Sequence, residues 1–286
     1  MRLPLFGPRK RTVATIGLPG HGKTVFLAGL FWDSFFSLAE TLKQDGHRYA
    51  VRAVDPRADD VFYGNAKLLH QLTLPTANPR SAEPQPATLE FQGVPCARTG
   101  KRSRIWLTFY DVAGEVFTTD QAARADAQYL QQADDLIFLF DPTQPDFSAL
   151  AAASLIDRVH RVIPGSRSKN FIIALSKMDE LREQDEWVDT ISDYWPGHPP
   201  SAEGLPSYLE DMASLSERFR DWWTFPERRA HSLMANLPPK TRFCGLSSLG
   251  HRPVRDENGV ARLTRKPEPF RVRDPLFWIF HAAKVI

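Results

Sequence analysis

Sulfur is scarce in this chain: two cysteines, Cys96 and Cys244, and four methionines in 286 residues. One possible disulfide cannot staple a fold of this size, so a disulfide framework is excluded and a reducing, cytoplasmic setting is expected. Net charge is equally scarce. Lys and Arg number 36 against 34 Asp and Glu, which leaves +2. That balance removes the electrostatic case for binding nucleic acid or an anionic membrane. Long apolar runs are missing too: Val25 to Trp32 is cut by Asp33 and reads as too short to span a bilayer. Met1 to Arg11 is basic but lacks the apolar centre of a signal peptide. No internal repeat or low-complexity tract is visible. What remains, 42% hydrophobic and 24% charged residues, is the composition of a soluble globular protein. Its length suits one large α/β domain with insertions. Proline is the exception to this scarcity: the 23 prolines cluster in 75–95, 196–206 and 226–269, marking long loops of the functional or mobile kind.

The residues around which the chain is organised are Gly17-Leu18-Pro19-Gly20-His21-Gly22-Lys23-Thr24. They fit G-x-x-x-x-G-K-[ST], a loop whose backbone N–H groups surround phosphate oxygens. Gly17, Gly20 and Gly22 permit the curl, with Pro19 and His21 in the same cradle. Lys23 reaches the β- and γ-phosphates, and the Thr24 hydroxyl ligates Mg²⁺. A β-branched run, Arg11 to Ile16, precedes this loop and an apolar helical stretch to about Lys43 follows it, the strand–loop–helix context the motif requires.

Further buried strands are expected at His47–Asp55, Ala87–Phe91, Arg104–Tyr110, Asp135–Asp141 (stopping at Pro142), Phe171–Leu175 and Thr241–Leu246, alternating with helices, one of them from about Ala58 to Leu72. Polar residues follow several of them. Asp111 ends one strand, in Asp111-Val112-Ala113-Gly114-Glu115, where it would hold Mg²⁺ through water and the Gly114 N–H would approach a γ-phosphate. Ser176-Lys177-Met178-Asp179 fits [NST]-K-x-D: the Asp179 carboxylate accepts from guanine N1–H and the 2-amino group, and adenine offers neither. Lys177 would lie along the base, and Ser176 supports the turn. Backbone N–H groups of Ser247, Ser248 and Leu249 would meet guanine O6. In the proline-rich loop after Leu72, Thr76 is the candidate for closing onto Mg²⁺ and a γ-phosphate; Thr73 and Thr88 compete with it, and a plain surface loop is the other reading. Residues 181–239 break the alternation and read as a helical insertion on the domain's flank, with helices at Tyr208–Trp223 and Glu227–Leu237. Asn258-Gly259 suggests a hairpin, and Pro275 opens a terminal apolar helix.

In this order and at these strand ends, the motifs resemble those of small-GTPase-like P-loop proteins (the TRAFAC class). The Leu74-Pro75-Thr76 loop, the Asp-Val-Ala-Gly-Glu form and the terminal Pro-Leu-Phe-Trp-Ile resemble, more narrowly, the bacterial double-GTPase group, predicted components of multi-gene conflict or signalling systems. The resemblance implies a Ras-like GTPase domain over 11–286: a mostly parallel sheet flanked by helices, with 181–239 inserted and 1–10 a basic extension. It implies GTP and GDP as ligands, Mg²⁺ as cofactor, and a protein effector or companion GTPase as partner. The residues placed at the chemistry are Lys23, Thr76, Gly114 and Glu115; those at the metal are Thr24, Thr76 and Asp111.

Two departures shape the functional expectation. Glu115 stands where Ras-like proteins carry the glutamine that orients the attacking water, and a carboxylate there adds repulsion beside a γ-phosphate. Pro19 has no N–H to give. Slow hydrolysis of GTP by a molecular switch is therefore expected. The alternatives are a nucleotide-bound adaptor that does not turn over and an ATP-dependent P-loop protein. Arg98, Arg102 and Arg124 are undifferentiated candidates for a charge-stabilising arginine.

Overall fold

In the computed structural model, strands form where β-branched and aromatic runs predict them. They are β1 (Arg9–Ile16), β2 (Ala50–Ala53), β3 (Ala87–Pro95), β4 (Arg102–Asp111), β5 (Asp135–Phe140), β6 (Asn170–Leu175) and β7 (Arg242–Gly245). The structure describes residues 8–44, 48–76, 86–95, 102–111, 116, 119–126, 128–145, 147–182, 201, 203–224, 230–257 and 260–286. The seven strands make one sheet in the order β2-β3-β4-β1-β5-β6-β7. From β4 to β7 all neighbours are parallel, while β2 and β3 are antiparallel additions beside β4. Every residue of β5 is buried, as a parallel strand covered on both faces requires.

The helices are α1 (Lys23–Gln44), α2 (56–70), α3 (Asp120–Asp126), α4 (Gln128–Gln132), α5 (Ala149–Val162), α6 (Met178–Arg182), α7 (Leu205–Thr224), α8 (His231–Asn236) and α9 (Asp274–Ala282). α1, α2 and α9 cover one face, over Val13, Leu107, Ile137 and Ile172. α5, α8 and the end of α7 cover the other, over Phe138, Phe140, Phe171 and Ile173. Local chemistry sets the helix starts. Ser148 caps α5 by accepting from Ala151 N at 3.0 Å. Asp55 caps α2 by accepting from Ala58 N at 2.7 Å, with Pro56 in the first turn. That cap starts α2 two residues before the expected Ala58 and leaves β2 shorter than His47–Asp55.

One expectation needs correction. α1 was read as too short to cross a bilayer; it runs 22 residues, through a π-helical segment Asp33–Leu38, and by length and composition it is long and apolar enough to do so. Asp33 does not break it, because its carboxylate is buried in a two-bonded ion pair with Arg273 at 2.7 and 2.5 Å. Over half of its apolar stretch (56%) is packed inside the domain. The flank gains a physical description. α7 lies within the stretch read as an insertion, yet Leu205, Tyr208 and Met212 join the core of one face, and Leu215, Phe219, Trp222 and Trp223 that of the other. The helix therefore spans the β7 edge of the sheet and covers it. Gly245 makes room for it, since a Cβ there would lie 2.3 Å from Phe219 Cζ. Trp187 and Trp195 lie outside the described residues. The hairpin appears as β8 (Val254–Arg255) paired with β9 (Ala261–Arg262), its turn residues Asn258 and Gly259 lying outside the described residues.

Candidate functional site

Parallel pairing brings the carboxyl ends of five strands to one rim. Thr15 is level with Asp111, Ile16 with Phe138, Phe140 with Leu175, and Leu175 with Gly245. The connection from β1 runs toward β2 and that from its neighbour β5 runs the opposite way to β6, so this rim holds the sheet's switch point, where open α/β sheets take their ligands.

The glycine-rich turn occupies that point. Gly22 takes a left-handed conformation (φ +83°) as it enters α1, and Gly20 does the same at φ +79°. Gly17 is forced by proximity: a Cβ there would lie 2.6 Å from Leu139 O. Lys23 folds back over the turn, donating to Gly17 O at 2.9 Å and Leu18 O at 3.0 Å. Pro19 and Gly20 form the exposed apex. His21 is buried beneath it, its Nδ1 3.2 Å from Leu139 O and 3.3 Å from Asp141 N. One nitrogen can serve only one of these, donating to the carbonyl or accepting from the amide. Either way the ring wedges the turn against β5. Below the turn, α1 offers the positive end of its dipole to an anion.

Next to it, Thr24 Oγ1 donates to Asp111 Oδ2 at 2.9 Å. Burial pushes the Asp111 carboxyl up, against the Thr24 hydrogen bond and the charges of Lys23 and Arg57. Among the described residues no cluster of three or more His, Cys, Asp or Glu could hold a metal alone. A hydroxyl and one carboxylate, completed by phosphate oxygens and water, suit Mg²⁺, which keeps much of its hydration. The pair fits that ion.

On the other side, Ser176 Oγ lies within hydrogen-bond distance of Phe140 O at 3.1 Å and of His21 O at 3.3 Å, linking the turn after β6 to the glycine-rich one. Lys177 sits at φ +53°, and its ammonium is 2.5 Å from Asp141 Oδ2. Burial works to raise the Asp141 pKa, but hydrogen bonds from Lys177, Thr143 and Gln144 and the Lys177 charge outweigh it and bring it below the usual range. Met178 N donates to Leu246 O at 3.2 Å, tying this turn to the one after β7. Asp179 Oδ1 is buried, and no hydrogen-bond partner meets it among the described residues. Ser247 exchanges two backbone bonds with Phe270, at 3.1 and 3.0 Å, and its hydroxyl accepts from Gly250 N at 2.8 Å. Ser248 and Leu249 follow, half-buried.

The competing threonines separate. Thr88 lies within β3, its hydroxyl 3.1 Å from that of Thr108. Thr73 is bridged to Arg262 of β9. Thr76 is exposed after the buried Pro75; among the described residues no hydrogen bond joins it to Thr24 or Asp111. Gly114, Glu115 and Arg98 lie outside the described residues. Arg102 starts β4, at the end of the strand away from the rim, and Arg124 is an exposed residue of α3. Sequence reasoning missed Asp141 and Arg57. Asp141 directly follows β5 as Asp111 ends β4, a signal that was present but read only as part of a strand stopped by Pro142. Arg57 had no motif to mark it.

Residues 11–203 match a family model described as Double-GTPase 2. Among solved structures, the chain is similar to the Saccharomyces cerevisiae Ski7 GTPase-like domain bound to GTP, at 14% identity and a TM-score of 0.40, over 96% of this chain and 50% of that one. A bacterial selenocysteine-specific elongation factor, EF-Sec, matches at 14% identity and a TM-score of 0.29, over 83% of this chain and 26% of that one. The chain thus spans about half and about a quarter of these two. No match was found among curated proteins.

Proposed function

The chain belongs to the Double-GTPase 2 family, and we propose that it is a guanine-specific, Mg²⁺-dependent nucleotide switch that hydrolyses GTP slowly to GDP and phosphate. The observation that carries this reading is Asp179 Oδ1, a buried acceptor with no partner among the described residues. A buried carboxylate oxygen left unmet costs stability, and guanine N1–H with the 2-amino group supplies the donors it lacks. Adenine would leave it unmet, so the site discriminates against ATP.

The chain's groups then divide the work. Amides of 17–24 other than Pro19 hold the phosphates, with Lys23 moving from its backbone carbonyls to the β- and γ-oxygens. Thr24 and Asp111 hold Mg²⁺, which when bound neutralises charge developing on the phosphates. Thr76 closes over the γ-phosphate, and the Gly114 N–H approaches it. Catalysis is positioning and charge stabilisation. Glu115 in place of glutamine makes intrinsic turnover slow. Lys177 lies along the base, Ser176 supports it, and Ser247, Ser248 and Leu249 turn N–H groups toward O6. The output is protein binding that depends on nucleotide state, with an effector or companion GTPase as partner, within a conflict or signalling system.

Titration with fluorescent GDP, GTP and ATP analogues tests the assignment: guanine nucleotides bind tightly and ATP weakly, and equal or tighter ATP binding contradicts it. Glu115 also favours a second reading, an adaptor that holds GTP without turning over. Phosphate release over multiple turnovers excludes the adaptor; tight binding with no release, even with companion proteins added, excludes the GTPase.

A further inference from the structure

The loop after β7 is held between two elements that are themselves locked together. On one side it rests on α1 at Gly29. A Cβ at Gly29 would stand 3.1 Å from both Cβ and O of Ser248 and 3.3 Å from its Cα, so any other residue there obliges the loop to give way. On the other side it is pinned to residues 268–270. Ser247 pairs with Phe270, and Glu268 N donates to Leu249 O at 2.9 Å. Gly250, at φ +72°, lies so close to this segment that a Cβ there would be 2.3 Å from Glu268 O. The same segment continues into Arg273, whose guanidinium holds Asp33 of α1 by two bonds. Asp33 lies four residues beyond Gly29, on the same face of the helix. The Arg271–Asp274 pair at 2.7 Å and the Tyr208 hydroxyl on Asp274 at 2.6 Å brace the clamp from behind.

We infer that Gly29 is a specificity-determining positioning residue: with the Asp33–Arg273 clamp it sets the depth of the Ser247–Gly250 loop, and so the recognition of a purine 6-oxo group. This rests on the guanine reading proposed above. Loop and helix meet nearly backbone to backbone at Gly29, so a single methyl is enough to move the loop amides by a few tenths of an ångström. A hydrogen bond to O6 is sensitive to that displacement. A role in packing alone would change stability and leave base preference untouched.

The test is Gly29→Ala in the full chain, titrated with GDP, IDP and 2-aminopurine riboside diphosphate, with circular dichroism as the check on folding. IDP keeps O6 but lacks the 2-amino group; the aminopurine nucleotide lacks O6. The variant is expected to bind GDP and IDP about tenfold more weakly, the scale of one hydrogen bond, with their ratio unchanged because Asp179 governs it. The aminopurine nucleotide is expected to lose less than about twofold, since it never used the O6 contact. Ser248→Val approaches the same gap from the loop and should reproduce the pattern. Equal losses for all three nucleotides, no loss in a folded variant, or failure of both variants to fold would each overturn the inference. A wild-type protein with no preference for GDP over ADP would instead sink the proposed function, and the inference with it.

Discussion

On the base side of the rim, each turn is tied to a neighbour. Ser176 meets the glycine-rich turn and β5, Met178 meets Leu246, and Ser247 and Leu249 are bonded to 268–270. On the metal side, α1 meets β4 through the bond from Thr24 to Asp111, and Thr76 stands exposed. The difference shows where this architecture invests its order. On the proposed function, base recognition is built into the folded chain, so little conformational freedom is lost when a base enters. The metal side turns its polar groups toward one another, and on the proposed function it is completed by phosphate and ion. A switch needs that asymmetry: a constant grip on the nucleoside, and a side whose contacts depend on the γ-phosphate.

The comparison breaks most visibly at the buried clamp. Arg273→Met leaves Asp33 buried without its counterion and should cost about 3–5 kcal/mol of folding stability, read by urea denaturation. A cost below about 1 kcal/mol, the level of an ordinary surface change, would mean that the base side is not anchored there. Lys177→Met removes the charged partner of Asp141 and, on the proposed function, alters the side chain that lies along the base. GDP binding should weaken about tenfold, and unchanged affinity would take Lys177 out of the site. On the metal side, Thr76→Ala should alter stability by less than about 0.5 kcal/mol because the side chain is exposed. It should weaken GTP binding in Mg²⁺ about tenfold and leave GDP nearly unaffected; equal losses for GTP and GDP would remove Thr76 from the switch.

A pH-dependent effect lies away from the rim, in the antiparallel strands. Burial works to raise the Glu90 pKa, but hydrogen bonds from Trp106, Arg104, Gln92 and Arg52 lower it from 4.5 to about 2. A depressed carboxylate stabilises the fold above its unfolded value and loses that contribution as pH falls through the folded one. The stability difference between wild type and Glu90→Gln should therefore be constant above about 4.5 and shrink toward pH 2. A difference that vanished above 4.5 would contradict this arrangement.

The sheet was legible because parallel strands buried on both faces leave continuous apolar runs. Leu136 to Phe140 and Phe171 to Leu175 can be read from composition alone. Strand ends were legible for the same reason: Asp111 and Asp179 appear where the apolar runs stop. What could not be read depends on partners distant in sequence. Asp33 looks like a helix breaker until Arg273 is placed beside it, 240 positions away. Trp222 and Trp223 look like a local cluster until α7 is seen to span the β7 edge. Thr73, Thr76 and Thr88 were separated only by the strand and bridge that engage two of them, and Gly29 has no local signal because its reason is the backbone of Ser248.

The most direct measurement is base preference in Asp179→Asn. An asparagine amide presents a donor where the carboxylate accepts, so the variant should lose GDP at least about a hundredfold and gain XDP, whose second carbonyl accepts that donor. Retained preference for GDP over XDP would contradict the claim that Asp179 reads the base.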